Sequence, residues 1–171
     1  MVRKLSTIAL LAVGLVVLSA SASLGGDVFL KGGYKLFRGE DADQFNTFII
    51  SGGSDYGLLP FFRFGFEIQY SQQKIEDFKF HWLNLYLNGK AYVSGGVVRP
   101  FIGGGVGLQT STSWAGKLED TDITSGLGYQ LFGGVTIGPP GFIGLILEAQ
   151  LQLPKNLDGI TAIHLMAGIT W

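Results

Sequence analysis

Two histidines, His81 and His164, are the side chains of this chain best suited to acid–base chemistry. Such work needs a nucleophile or a metal within reach of the imidazole. Neither histidine stands in an H-x-x-H, H-E-x-x-H or G-x-S-x-G spacing. The glycine run Gly103 to Gly107 has the look of a phosphate loop, but Leu108 and Thr110 occupy the positions where G-x-G-x-x-G needs its last glycine. Glu119, Asp120 and Asp122 offer oxygens to calcium without the ligand number or the glycine of a defined calcium loop, so solvated loop charge is the expected reading. No catalytic residue, metal ligand or cofactor is therefore expected. What remains is a dispersed set of charges, Lys31, Lys35, Asp55, Arg63, Glu67, Lys90 and Glu148, whose meaning depends on the faces they share.

Those faces follow a period of two. Between Phe62 and Tyr70, the residues Phe62, Phe64, Phe66, Ile68 and Tyr70 alternate with Arg63, Gly65, Glu67 and Gln69. Between Ile143 and Leu153, six apolar residues alternate with Gly144, Ile146, Glu148, Gln150 and Gln152. Alternation over ten residues builds a strand with one apolar and one polar face. Weaker forms of the pattern predict strands at 28–37, 47–56, 61–73, 80–93, 101–113, 125–137, 142–153 and 159–171. Strands of this length exceed the roughly 5 to 6 residues of globular sheets and match the roughly 9 to 11 that a tilted strand needs to cross a bilayer.

The connections alternate too. Segments 57–60, 94–100 and 138–141 are tight and rich in Gly and Pro, whereas 38–46, 74–79, 114–124 and 154–158 are more polar and mostly longer. Short periplasmic turns opposite longer external loops place both ends of the barrel chain on the periplasmic side. Aromatic residues gather near the expected strand ends (Phe37, Phe45, Tyr56, Phe61, Phe62, Phe78, Phe80, Trp82, Trp114 and Trp171), as at a membrane interface. Taken alone they fit the core of a soluble barrel equally well.

At the N-terminus, Arg3 and Lys4 precede an apolar run from Ile8 to Leu18 that ends in Ser19-Ala20-Ser21-Ala22. This is the pattern of a secretory signal peptide cleaved after Ala22, with Ala20 and Ala22 as the small residues of the site, so that residues 1–22 are the signal and 23–171 the mature domain. Losing Arg3 and Lys4 makes a chain of net charge −1 somewhat more acidic, and no basic stripe for nucleic acid remains. Without cysteine there are no disulfides, so stability must come from burial and strand pairing. The 47% hydrophobic content excludes disorder, and 27 glycines disfavour helix. A chain so apolar, with no later run of spanning length, leaves the closed β-barrel as its membrane option.

With the apolar face toward lipid, the seven charges point into the lumen. An eight-stranded barrel is just wide enough for side chains to fill it, so the four cations and three anions are expected to pair with one another and with Gln69, Asn84, Tyr86, Asn88, Gln130, Gln150 and Gln152. Interior glycines, among them Gly33, Gly53, Gly65, Gly105 and Gly134, make room for them. By register His164 points inward and His81 toward the interface.

The segment Val98-Arg99-Pro100-Phe101-Ile102-Gly103-Gly104-Gly105-Val106-Gly107 resembles a strand-opening motif of the small outer-membrane barrels of the OmpA membrane-domain and OmpX type. His164 to Trp171 is similar to their closing strand, with Trp171 where the family usually has phenylalanine. The resemblance implies an all-β, eight-stranded, antiparallel up-and-down transmembrane barrel in the bacterial outer membrane. It further implies that Ile169 and Trp171 are read by the barrel-assembly machinery. The expected protein is a non-enzymatic monomer in contact with outer-membrane lipids, with a structural or cell-surface role such as adhesion or envelope integrity. Three alternatives stand beside it: a lipid A acyl-modifying enzyme on the same barrel, a small pore, and a soluble lipocalin-like lipid binder.

Overall fold

The computed structural model describes residues 26–38, 45–75, 78–93, 96–114, 121–139, 142–154 and 161–171. The expected signal peptide with its cleavage residues Ala20 and Ala22, and Glu119 and Asp120 of the acidic cluster, lie outside them. Eight strands follow one another: β1 (Asp27–Arg38), β2 (Thr47–Leu59), β3 (Phe62–Ile75), β4 (Phe78–Tyr92), β5 (Val98–Trp114), β6 (Thr121–Ile137), β7 (Gly144–Pro154) and β8 (Thr161–Thr170). Each pairs antiparallel with the next, and β8 pairs with β1, so the sheet closes and has no edge.

Every expected strand is present, with some ends displaced. Both strands run into the loop expected at 74–79, because pairing continues through Lys74↔Lys79 and Ile75↔Phe78. Likewise β5 and β6 run on through Ser111↔Thr124 and Ser113↔Asp122 to Trp114↔Thr121. In both places the apolar alternation stops where the strands leave the apolar layer, while backbone pairing does not. At the other end, β5 already begins at Val98, which draws Arg99 into the sheet. Strand β7 opens later than expected, at Gly144, after a turn in which Gly138 holds a positive φ of 146°.

Partner-to-partner steps around the barrel fix its shear. From Asp27 the line runs through Asp55, Gly65, Asn88, Gly105, Gln130, Gln152 and Ala162 and returns to β1 at Phe37, ten residues further on. Strands must tilt to close with such a stagger. Residues that share a level of the lumen therefore come from strands far apart in sequence.

The two faces separate cleanly. Phe48 is 76% exposed on the outside and Ile102 is 67% exposed, with Ile50, Leu87, Leu131, Leu145 and Leu165 also outward. Inside, Lys31, Glu67, Gln69, Gln130, Gln152 and His164 are fully buried. Glycine serves this packing directly at two kinds of position. A Cβ on Gly105 would meet Asn88 Oδ1 at 2.0 Å, so its absence makes room for that amide, and one on Gly33 would meet the Leu165 carbonyl oxygen at 2.0 Å.

Candidate functional site

The lumen is built in layers. Near the end where β1 begins, Phe101, Phe132 and Ile146 form a buried apolar cluster joined by Tyr92. Near the opposite end, Phe37, Trp82 and Ala162 form another, joined by Phe45 and Phe80. Phe37, Phe45, Phe80 and Trp82 therefore cap the lumen instead of lining a membrane interface as the sequence led one to expect. Their parity decides it, since Phe37 shares the face of Lys31 and Lys35.

Between the two layers lies a network of charged and amide side chains. Lys31 Nζ is 2.6 Å from Glu148 Oε1 and 2.9 Å from Glu67 Oε1. Glu67 also accepts hydrogen bonds from Ser51 Oγ and, at 3.0 Å, from Asn88 Nδ2. Gln150 Nε2 donates to Glu148 at 2.7 Å, Gln130 Nε2 donates to Asn88 Oδ1 at 2.8 Å, and Gln69 Nε2 donates to Gln150 Oε1 at 2.9 Å. A buried carboxylate is tolerable when so paired and bonded. Closer to the apolar cluster, Lys90 Nζ lies 2.5 Å from Asp55 Oδ2 and over the Phe29 and Phe101 rings.

Of the seven charges singled out by sequence, the structure brings together Lys31 with Glu67 and Glu148, and Asp55 with Lys90. It does not bring Arg63 to Glu67. Four residues along a strand separate side chains by roughly 13 Å, and Arg63 pairs instead with Asp27 across the barrel mouth. Lys35 also stands apart: its ammonium lies over Phe37 at 4.6 Å and Trp82 at 5.4 Å, and it forms no ion pair with a described carboxylate. Lys35 does face His164 directly across the β1–β8 ladder.

His164 is buried inside, with Nδ1 3.1 Å from Gln150 Oε1. His81 lies on the outward register, 3.0 Å through Nδ1 from the Tyr70 hydroxyl. Asp27 and Arg99 are inward charges that the sequence reading missed, because both fell just outside the expected strand limits. Extending the parity of β1 and β5 by one step each would have found them.

Neither a protein-family profile nor a curated protein sequence matches this chain. Solved structures do. Neisserial surface protein A superposes over 85% of this chain and 96% of its own with a TM-score of 0.73 at 13% identity. The fold is that of the small outer-membrane barrels. The N-terminal barrel domain of Pseudomonas aeruginosa OprF matches with a TM-score of 0.56 at 13% identity, and Ail, the attachment invasion locus protein of Yersinia pestis, with 0.56 at 12%. Each of these two covers 85% of this chain and 99% of its own length. At such identities the likeness lies in the backbone, so the polar lumen described above belongs to this chain's own sequence.

Proposed function

We propose that this protein is a non-enzymatic outer-membrane barrel, a plug and not a pore, with a structural or cell-surface role. The observation that carries the reading is the polarity of the two faces. A lipid-binding soluble barrel needs an apolar interior, whereas here lysine, glutamate and glutamine fill the inside and leucine, isoleucine and phenylalanine cover the outside. An apolar girdle of this extent is stable in lipid and unstable in water.

Three further features support the reading. The lumen network lies between two aromatic layers, an arrangement that suits a plug. The buried His164 bonds Gln150 through Nδ1 while its Nε2 is enclosed without a partner, so this histidine is not set to activate a serine nucleophile. Ile169 of β8 and Trp171 just after it face outward, and the end closes on β1 through Val28 N to Trp171 O at 2.8 Å and Trp171 N to Val28 O at 2.9 Å, as suits a strand presented to the assembly machinery. Outer-membrane lipids are then its partners, and a monomer its form. Surface roles have precedent on this fold in the neisserial surface protein and in Ail.

Reconstitution into planar bilayers tests the plug. The wild-type barrel is expected to give no sustained conductance, and steady ion-selective channels would overturn the reading. Lipid A from cells expressing the protein is expected to keep its mass; a change abolished by His81→Ala would reinstate the enzymatic alternative.

A further inference from the structure

The three tight connections at the end where β1 begins are apolar where turns in water are polar. Leu58 closes β2 and Phe61 follows it, Val93 and Val97 stand between β4 and β5, and Phe142 and Ile143 stand between β6 and β7; all six are between 58% and 77% exposed. Residues 57–61, 93–98 and 138–143 hold no Asp, Glu, Lys, Arg or His, whereas the connections at the opposite end, 38–46, 76–77, 115–120 and 155–160, are rich in charge. The outward Trp171 beside β1 completes the circuit. Single exposed apolar residues are ordinary, but a rim of them without charge marks a contact surface.

Two features show what that surface suits. The backbone here is bonded to backbone: Tyr92 N donates to Phe61 O at 2.8 Å, Val93 N to Pro100 O at 2.9 Å, and Gly138 N to Val97 O at 2.8 Å. Four of the five prolines, Pro60, Pro100, Pro139 and Pro140, fall in or beside these connections and bring no N–H to satisfy. Irregular backbone enters a layer poor in water only when its polar groups are paired within the protein. The rim is also continuous with the lipid-facing belt, since Ile143 shares the outward parity and exposure of Leu145 and Leu147, and Val98 that of Ile102. A soluble protein partner would instead call for a polar border to the patch, which these connections lack.

We propose that the three connections form a lipid-docking rim, seated in the headgroup–acyl boundary of the periplasmic leaflet, whose partner is the phospholipid surface. The inference rests on the reading of the chain as a transmembrane barrel. Seated in this way, the barrel is held low in the bilayer and carries its charged connections beyond the opposite face.

The test uses the barrel purified from membranes in detergent and transferred to phosphatidylcholine nanodiscs, whose two faces are both open to water. The chain has no cysteine of its own, so Leu58→Cys, Val97→Cys and Phe142→Cys each carry one nitrobenzoxadiazole fluorophore. Leu131→Cys is the lipid-facing reference and Lys74→Cys the water-facing one, with heat-shifted gel mobility as the check of folding. The three rim labels are expected to be quenched by phosphatidylcholine bearing a nitroxide near its headgroup, and to lose most of the iodide quenching seen at Lys74→Cys. Without the fluorophore, the same three cysteines are expected to react more slowly than Lys74→Cys with a charged, water-soluble thiol reagent. Iodide quenching or thiol reactivity equal to that of Lys74→Cys at any one connection overturns the rim and leaves that surface bare for a protein partner. With Leu131→Cys shielded, such a failure belongs to the rim alone; with Leu131→Cys open to iodide as well, the transmembrane reading fails with it. If one variant does not fold, the other two connections decide the outcome.

Discussion

Lys31 Nζ reaches Glu148 Oε1 at 2.6 Å although β8 lies between their strands, and the same ammonium touches Glu67 on β3 at 2.9 Å. One cation thus ties three non-adjacent strands through the centre of the barrel. The contact works as a brace across the lumen, independent of the ladders that join neighbouring strands.

Three of the four carboxylate-containing pairings should therefore differ in weight. Glu67→Ala removes the acceptor of Lys31, Ser51 and Asn88 together and is expected to cost about 3 kcal/mol or more. Glu148→Ala should cost less, since Oε2 of Glu148 has no partner to lose. Arg63→Ala is expected to cost at most about 1 kcal/mol, because its pair with Asp27 is about a fifth exposed. The temperature at which the compact gel band is lost in detergent gives the order; an Arg63→Ala penalty as large as that of Glu67→Ala contradicts the brace.

Adjacent glycines on β1 offer a sharper contrast. An added Cβ on Gly33 would sit 2.0 Å from the Leu165 carbonyl oxygen and 2.7 Å from Met166 Cα, at the seam where β8 closes the barrel. On Gly32 such a Cβ would come no nearer than 3.9 Å, to the Ile49 carbonyl oxygen. Gly33→Ala is expected to lose about 1 to 3 kcal/mol through overpacking, and Gly32→Ala almost nothing. Equal folding yields for the two variants in a refolding assay would remove the seam constraint.

Outside the barrel, Leu131 is 58% exposed near the middle of β6. An arginine facing lipid at the midplane costs about 2 to 4 kcal/mol, so Leu131→Arg should lower the folded fraction in liposomes while Leu131→Met leaves it unchanged. Indistinguishable folding of the two in lipid would mean that this face does not meet hydrocarbon.

Strand number, pairing order and the inward or outward sense of most residues were legible in the sequence, because period-two alternation is a local property of the chain. Its misreadings of strand limits share one cause. Around Lys74, Ser111 and Thr124 the strands rise above the apolar layer, so the hydrophobic signal ends before the hydrogen bonding does. Around Asp27 and Arg99 the same early cut-off hid two inward charges. The aromatic residues at strand ends misled in another way, since position along a strand says nothing of facing, and parity turns Phe37 and Trp82 inward.

What the sequence by itself determined is which side chains enter the lumen; which of them meet was decided by the closed barrel. Meeting depends on height, and height is set by the ten-residue stagger accumulated over eight ladders, a quantity that no single strand carries. That stagger places Lys31 beside Glu67 and Glu148.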